Sequence, residues 1–202
     1  MYALVTDGTI TKYFSYPKGF TLGDLQYPKD IFMKWSVEEK EAIGIYEVVY
    51  DNSNFKDEKW YINTNQSYAF ADDVVTASYG TATAKAHADT LWTAQDETDG
   101  LGTKGEVATR GLKYNLIQTL KSQVANELAR TDWYITRNAE KSTAIPSAIS
   151  THRDAVRTKQ ASMETAITNA SNTPALETLY TYTEQSDGTV TRPLGELPTL
   201  EI

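Results

Sequence analysis

Two apolar rows at helical spacing constrain this chain more than any other feature. Leu112, Leu116, Leu120, Val124 and Leu128 recur at four-residue steps, with Ile117 beside them. Such a row lies along one side of an α-helix and has to be covered. Ile149, Val156, Met163 and Ile167 repeat on one face further along, with His152 and Gln160 between them. Each row can cover the other, so the spacing predicts a helical hairpin with helices near 104–130 and 146–170. Thr103-Lys104-Gly105-Glu106 reads as a capping box that opens the first helix, and Pro146 suits the first position of the second. Gly111 inside the first helix costs about 1 kcal/mol against alanine, which points to a close packing contact there. Thr131-Asp132-Trp133 ends that helix, and a loop leads on to Pro146.

The chain before this hairpin is patterned differently. Residues 2–14 read as a β-hairpin, with Asp7-Gly8 supplying the positive φ of a tight turn. Residues 17–30 hold Pro17, Gly19, Gly23 and Pro28 and read as a loop. Ser36-Val37-Glu38-Glu39 is a capping box, predicting a short helix from Val37 to Ile43 that Gly44 stops. Ile45–Tyr50, Trp60–Ile62, Tyr68–Phe70 and Val74–Ala77 read as strands, with turn chemistry at Asp51-Asn52-Ser53-Asn54. An Ala/Thr-rich stretch predicts a weak helix over 82–94. Asn172-Thr173-Pro174 opens a short helix from Ala175 to Leu179, and Asp187-Gly188 is a hairpin-type turn before an extended end.

The fold expected is therefore α+β: a small N-terminal antiparallel β-sheet domain with one short helix, then a helical hairpin and a short extended C-terminal tail. The β-rich domain is placed at 1–80, the helical region at 81–172 and the tail at 173–202. Hydrophobic residues make up 40% of the 202, enough for a packed core.

Charge and composition narrow the classes of function. Net charge is −8, which lacks the basic footprint of a nucleic-acid binder. Residues 105–170 carry nine Lys or Arg and six Asp or Glu, a net of +3, so the remainder carries −11. There is no cysteine, so disulfides, thiolate zinc sites and a cysteine nucleophile are excluded. No stretch approaches the roughly 18 apolar residues of a membrane span, and the N-terminus does not read as a signal peptide.

Catalytic sets are not legible. The two histidines, His87 and His152, stand alone, with no His-Glu-x-x-His pair and no serine–histidine–aspartate spacing. Asp51 to Glu58 resembles a calcium loop only in acid content. Asp72-Asp73 and Asp96-Glu97-Thr98-Asp99 read as solvated loops. Gly100-Leu101-Gly102 lacks the rest of a dinucleotide fingerprint. The expectation is a protein that is not an enzyme, binds no cofactor or metal, and works by contact. Thirteen tyrosines against five phenylalanines favour half-buried strands and contact surfaces. The aromatic cluster from Tyr46 to Phe70, with Trp60 and Tyr61, reads as the core of the small sheet or as a sugar- or protein-binding face. Trp133 either closes the base of the helical hairpin or is a hot spot for a partner. Asp132, Trp133, Trp60, Tyr61, Leu112, Leu116 and Leu120 are the candidate partner contacts.

Glu127-Leu128-Ala129-Arg130-Thr131-Asp132-Trp133, at the end of an apolar-striped helix, resembles the leucine–alanine–x–threonine–aspartate–tryptophan signature of phage tail assembly chaperone proteins. In that family a second helix carries a tyrosine–arginine pair and then alanine–leucine–arginine. This chain has His152-Arg153 and Ala155-Val156-Arg157 at the matching place, with His152 for the tyrosine and Val156 for the leucine. The loop before the second helix lacks the family's acidic–proline pattern, although Ile145-Pro146 keeps the proline. The start Met1-Tyr2-Ala3-Leu4-Val5 and the passage Ala42 to Val48 are similar to small proteins encoded beside phage tail-fibre genes. The resemblance covers 103–170 and, loosely, 1–50. It implies a virion tail or tail-fibre-associated structural protein whose partners are phage tail or fibre proteins. Its alternative is an assembly chaperone that leaves the particle, placing the chain in the virion tail or in the host cytoplasm during assembly. A homo-oligomer, trimers being common among fibres, follows from the resemblance alone. A glycan-binding adhesin using the aromatic sheet is a further alternative.

Overall fold

A computed structural model describes residues 1–200. The chain divides into two compact units, Met1–Thr83 and Ala84–Ile202.

The first unit is built on a five-stranded curled sheet in the order β2-β1-β5-β8-β7. Strands β1 (Tyr2–Thr6) and β2 (Thr9–Phe14) form the predicted hairpin, with Asp7 and Gly8 both at positive φ. The loop expected over 17–30 instead holds a second hairpin, β3 (Phe20–Leu22) and β4 (Leu25–Tyr27), turning at Gly23 with φ +59°. Its prolines flank the strands and so spare their ladder. Helix α1 (Ile31–Lys34) follows, then α2 (Val37–Glu41), which opens on the predicted Ser36–Glu39 capping box with both bonds made.

Strand β5 (Ile45–Asp51) pairs antiparallel with β1, while β6 (Tyr61–Ile62) stands outside the main sheet. The β7 (Ser67–Ala71) and β8 (Val74–Ser78) hairpin returns so that β8 runs parallel to β5. The sheet is therefore mixed, where an antiparallel one was expected. Residues 52–73 supply the crossover that a parallel pair needs. Both faces are covered. Leu4, Phe14, Phe20, Ile31, Phe32 and Ile45 pack on one, and Ala3, Val5, Val48, Val75 and Ala77 on the other. That explains why β1 reads as an unbroken apolar run. The edge strands approach each other, with the Tyr13 and Tyr68 rings 4.7 Å apart.

Strand β9 (Thr83–Ala84) lies at the junction of the units. The helix expected over 82–94 is absent. The chain there is extended up to β10 (Thr90–Leu91), and only α3 (Ala94–Thr98) is helical, capped by Thr93 and Asp96. The Thr103–Glu106 box opens no helix either: it is a turn before β11 (Val107–Thr109), which pairs with β10. Helix α4 runs from Leu112 to Ala129, and Gly111 is its N-cap rather than an interior residue.

The extended segment explains both shifts. Leu112 N–H donates to the carbonyl of Ala86, Lys113 N–H to that of His87, and Gly111 N–H to Asp89 Oδ1 at 2.8 Å. Residues 86–89 thus satisfy donors that a helix start leaves without partners. They can do so only because they are not themselves helical.

Helix α5 (Asp132–Lys141) occupies the expected loop, and α6 (Ser147–Asn169) begins after Pro146. Ile149, Val156, Met163 and Ile167 are all buried, as the row predicts, and α6 packs along α4. Helix α7 (Thr173–Tyr180) is capped by Asn172. A small hairpin, β12 (Thr183–Glu184) and β13 (Val190–Thr191), precedes the tail, which folds back to bury Leu194. Arg192 lies between the Tyr180 and Tyr182 rings, 5.3 and 5.2 Å from their centroids, and pairs with Glu196.

Candidate interaction site at the helical corner

The corner between α4 and α5 is where the chain concentrates its buried polar chemistry. Helix α4 ends at Ala129, and its last carbonyls need donors. Thr131 Oγ1 donates to Leu128 O at 3.0 Å. Arg153, reaching across from α6, adds a second side-chain donor to the same carbonyl. Its Nη1 lies 2.8 Å from Leu128 O, 2.7 Å from Thr131 Oγ1 and 2.8 Å from Asp132 Oδ1. Three oxygens share two N–H groups, so one guanidinium nitrogen ties the end of α4, the cap of α5 and the Asp132 carboxylate to α6. Thr131 is 1% exposed and Arg153 7%. Arg153 Nε, also buried, has no hydrogen-bond partner among the described residues.

One turn back, His152 Nε2 is 3.1 Å from Glu127 Oε1, and Arg130 Nη1 is 3.0 Å from Glu127 Oε2. Burial alone would raise the Glu127 carboxyl. The bonds and charges of Arg130 and His152 outweigh it and hold the carboxyl below its usual range. A carboxylate lowered in the folded state stabilises above its unfolded pKa of about 4.3, and that contribution disappears as pH falls through the folded value. Glu127→Gln is therefore expected to destabilise the helical unit at neutral pH. The gap between variant and wild type should shrink below the unfolded value of about 4.3 and close as pH falls through the lowered folded one. Urea titrations of both proteins across that range measure it, and a gap that stays constant rules the assignment out.

Trp133 does not close the base of the hairpin. It is 51% exposed on α5, where its ring lies 4.1 Å from that of Tyr134, with the Arg137 guanidinium 5.2 Å above it. Arg153 and Thr131 do the closing. The reason is positional: Thr131 and Trp133 stand two residues apart at a helix start, so they cannot face the same way. Ile135 is also exposed on α5, a helix with no buried residue.

The other candidate contacts divide. Leu112 and Leu116 are half-buried on α4. Leu120 is buried within the helical unit, so it is core and not a partner contact. Trp60 and Tyr61 are 3% and 5% exposed and are likewise corrected to core. Rings this buried offer no platform to a sugar. Of the aromatic cluster, Tyr50 and Phe55 stay exposed. The acid-rich turn at Asp51 is an Asx turn, with Ser53 N–H donating to Asp51 Oδ1 at 2.9 Å. Arg153 was not singled out as a site residue. Its signal was available: a lone arginine beside His152 in an otherwise apolar helical row has to find buried oxygens.

No helix among the described residues is long and apolar enough to cross a membrane. Comparison with protein-family models, with curated proteins and with solved structures yields no match.

Proposed function

We propose that the chain is a structural protein of a phage tail or tail fibre, acting through protein–protein contacts. The observation that carries this reading is the meeting of the two halves of the tail-protein-like signature. Leu128, Thr131 and Asp132 come from one half and Arg153 from the other, and all four share a single hydrogen-bonded cluster. The signature is then an architectural device that sets how two helices meet, while Trp133, its last residue, is left for a partner. An exposed tryptophan beside an arginine is the composition that interface hot spots favour.

Mass spectrometry of purified particles tests the reading, and the chain is expected there at fixed stoichiometry to the other tail proteins. Its absence from particles whose fibres still need it for assembly would replace this reading with that of an assembly chaperone. Trp133→Ala is expected to change stability by no more than about 0.5 kcal/mol, as a surface substitution does, yet to lower incorporation into particles several-fold. Unchanged incorporation would remove Trp133 from the contact surface.

A further inference from the structure

At one rim of the curled sheet, every strand contributes an aromatic or thioether side chain to the same face. Met1 precedes β1, Tyr13 lies near the end of β2, Tyr50 near the end of β5, Tyr68 near the start of β7, and Tyr79 just beyond β8. The pairing sets their side. Tyr13 stands opposite Ala3, while Tyr50 and Tyr68 flank Ala77 from its two neighbouring strands. Tyr79 follows Ala77 by two residues and so keeps to its face. The side chains meet there. The Tyr13 and Tyr68 rings are 4.7 Å apart, and the Tyr50 and Tyr68 hydroxyls lie 3.5 and 3.8 Å from Met1 Sδ. Burial, then the phenols of Tyr50, Tyr13 and Tyr79, push the Tyr68 hydroxyl above its ordinary range. The Phe55 ring, 5.2 Å from that of Tyr79, extends the patch. Its floor is closed, since Ala3 and Ala77 are buried, but Tyr13 and Tyr50 are 43% and 47% exposed.

Charge sets this rim apart from the chain's other exposed tyrosines. Among the described residues five tyrosines are exposed. Three hold a cation of the same chain over the ring: Lys18 over Tyr16 at 5.7 Å, Arg110 over Tyr114 at 4.3 Å and Arg192 over Tyr182 at 5.2 Å. The other two are Tyr13 and Tyr50, and no lysine or arginine among the described residues lies over either ring. Aromatic ring faces carry negative potential, and grouped rings attract a cation more than one ring does. Residues 1–83 hold twelve Asp or Glu against seven lysines, a net of −5, so the field of the whole unit has the same sign.

We infer that the tyrosine rim receives a basic side chain, arginine or lysine, from a partner protein. The rim is open, so a partner that covers it also excludes the water that weakens a cation–π contact. Arginine suits it best, because a guanidinium stacks on aromatic faces and is weakly hydrated. The inference rests on the rim alone and is independent of the tail reading.

Titration of the full chain, isotope-labelled at tyrosine, with a peptide of four Gly-Arg repeats tests it by NMR. The ring signals of Tyr13, Tyr50 and Tyr68 are expected to shift saturably at about 1 mM peptide. The same peptide with citrulline for arginine keeps the shape without the charge, and is expected to bind at least about fivefold more weakly. Tyr13→Leu combined with Tyr50→Leu leaves the net charge unchanged and is expected to weaken binding about tenfold, with far-UV circular dichroism unaltered. Tyr50→Leu alone, at the more exposed position, carries less risk to folding and is expected to weaken it about threefold. The corresponding Tyr→Phe variants keep the rings and are expected to bind as wild type does. No saturable shift of those signals overturns the inference. So does a citrulline peptide that binds equally well, which marks an uncharged occupant. Leucine variants that bind as wild type does would leave only the unit's net charge as the attraction, and phenylalanine variants that lose binding would assign it to the hydroxyls; either result overturns it too.

Discussion

Replacing Arg153 with methionine is expected to destabilise the helical unit by about 3 kcal/mol. The figure follows from what the guanidinium does. It donates to Leu128 O and Thr131 Oγ1 in a largely buried place. Hydrogen bonds from a charged donor contribute about 1.5–3 kcal/mol each, and a buried acceptor left alone adds its own penalty. Two such bonds sum to more than 3 kcal/mol, but two terms pull back. Thr131 still donates to Leu128 O, so that carbonyl is not orphaned. Asp132 keeps 59% of its side-chain surface in water, so losing its partner strands no buried charge. Methionine fills the space of the arginine stem, which separates the bonds from the packing. Arg153→Lys keeps a charge but loses the planar fork that reaches several oxygens at once, so it should recover only part of the loss. Guanidinium chloride unfolding followed by circular dichroism measures each variant. A loss below about 1 kcal/mol for methionine would show that the corner is held by packing.

What was legible in the chain divides along a physical line. Features set by local chemistry were readable: the Asp7-Gly8 turn, the Ser36–Glu39 box, Asn172 ahead of Pro174, and the row Ile149, Val156, Met163, Ile167. Each depends on neighbours within a few residues or on a periodicity that only one element satisfies. Features decided by distant partners were not. The Ala/Thr-rich stretch at 82–94 has a helical composition but no apolar stripe, so no packing holds it in a helix. Its carbonyls serve α4 and Thr173 instead. Direction within the sheet was equally hidden. Nothing in Val74–Ala77 says that its neighbour is β5 rather than an antiparallel partner, because pairing direction is set by the crossover and not by the strand.

The candidate site was half legible for the same reason. Thr131, Asp132 and Trp133 were visible as a corner because they interrupt an apolar row. Which of them points inward depends on where Arg153 arrives, 20 residues and two helix boundaries later. The aromatic cluster left two readings open, sheet core or contact face. Trp60 and Tyr61 have the residue types of a contact surface and are core, since burial depends on what the rest of the chain lays over them.

The second large effect is expected at Gly111. Gly111→Ala should destabilise the helical unit by about 2–3 kcal/mol, although alanine is the better helix former. An added Cβ would sit 2.3 Å from both the carbonyl carbon and the oxygen of Ala88. Those are backbone atoms, and they cannot swing aside as a flexible side chain would. Overpacking of this kind costs about 1–3 kcal/mol even in cores that can shift. Here the shift would be taken by the 86–89 segment, whose carbonyls cap the first turn of α4 and whose Asp89 holds Gly111 N–H and pairs with Arg110. The clash and the cap are therefore coupled: moving the segment to make room releases donors at the helix start. The backbone at Gly111 is extended, with φ −81° and ψ 175°, so the effect is steric and not one of conformational freedom. Were Gly111 an interior helix residue with open space beside it, alanine would instead stabilise by about 1 kcal/mol. The sign of one measured unfolding free energy thus decides between a helix that begins at Leu112 against a strap of extended chain and one that runs through it.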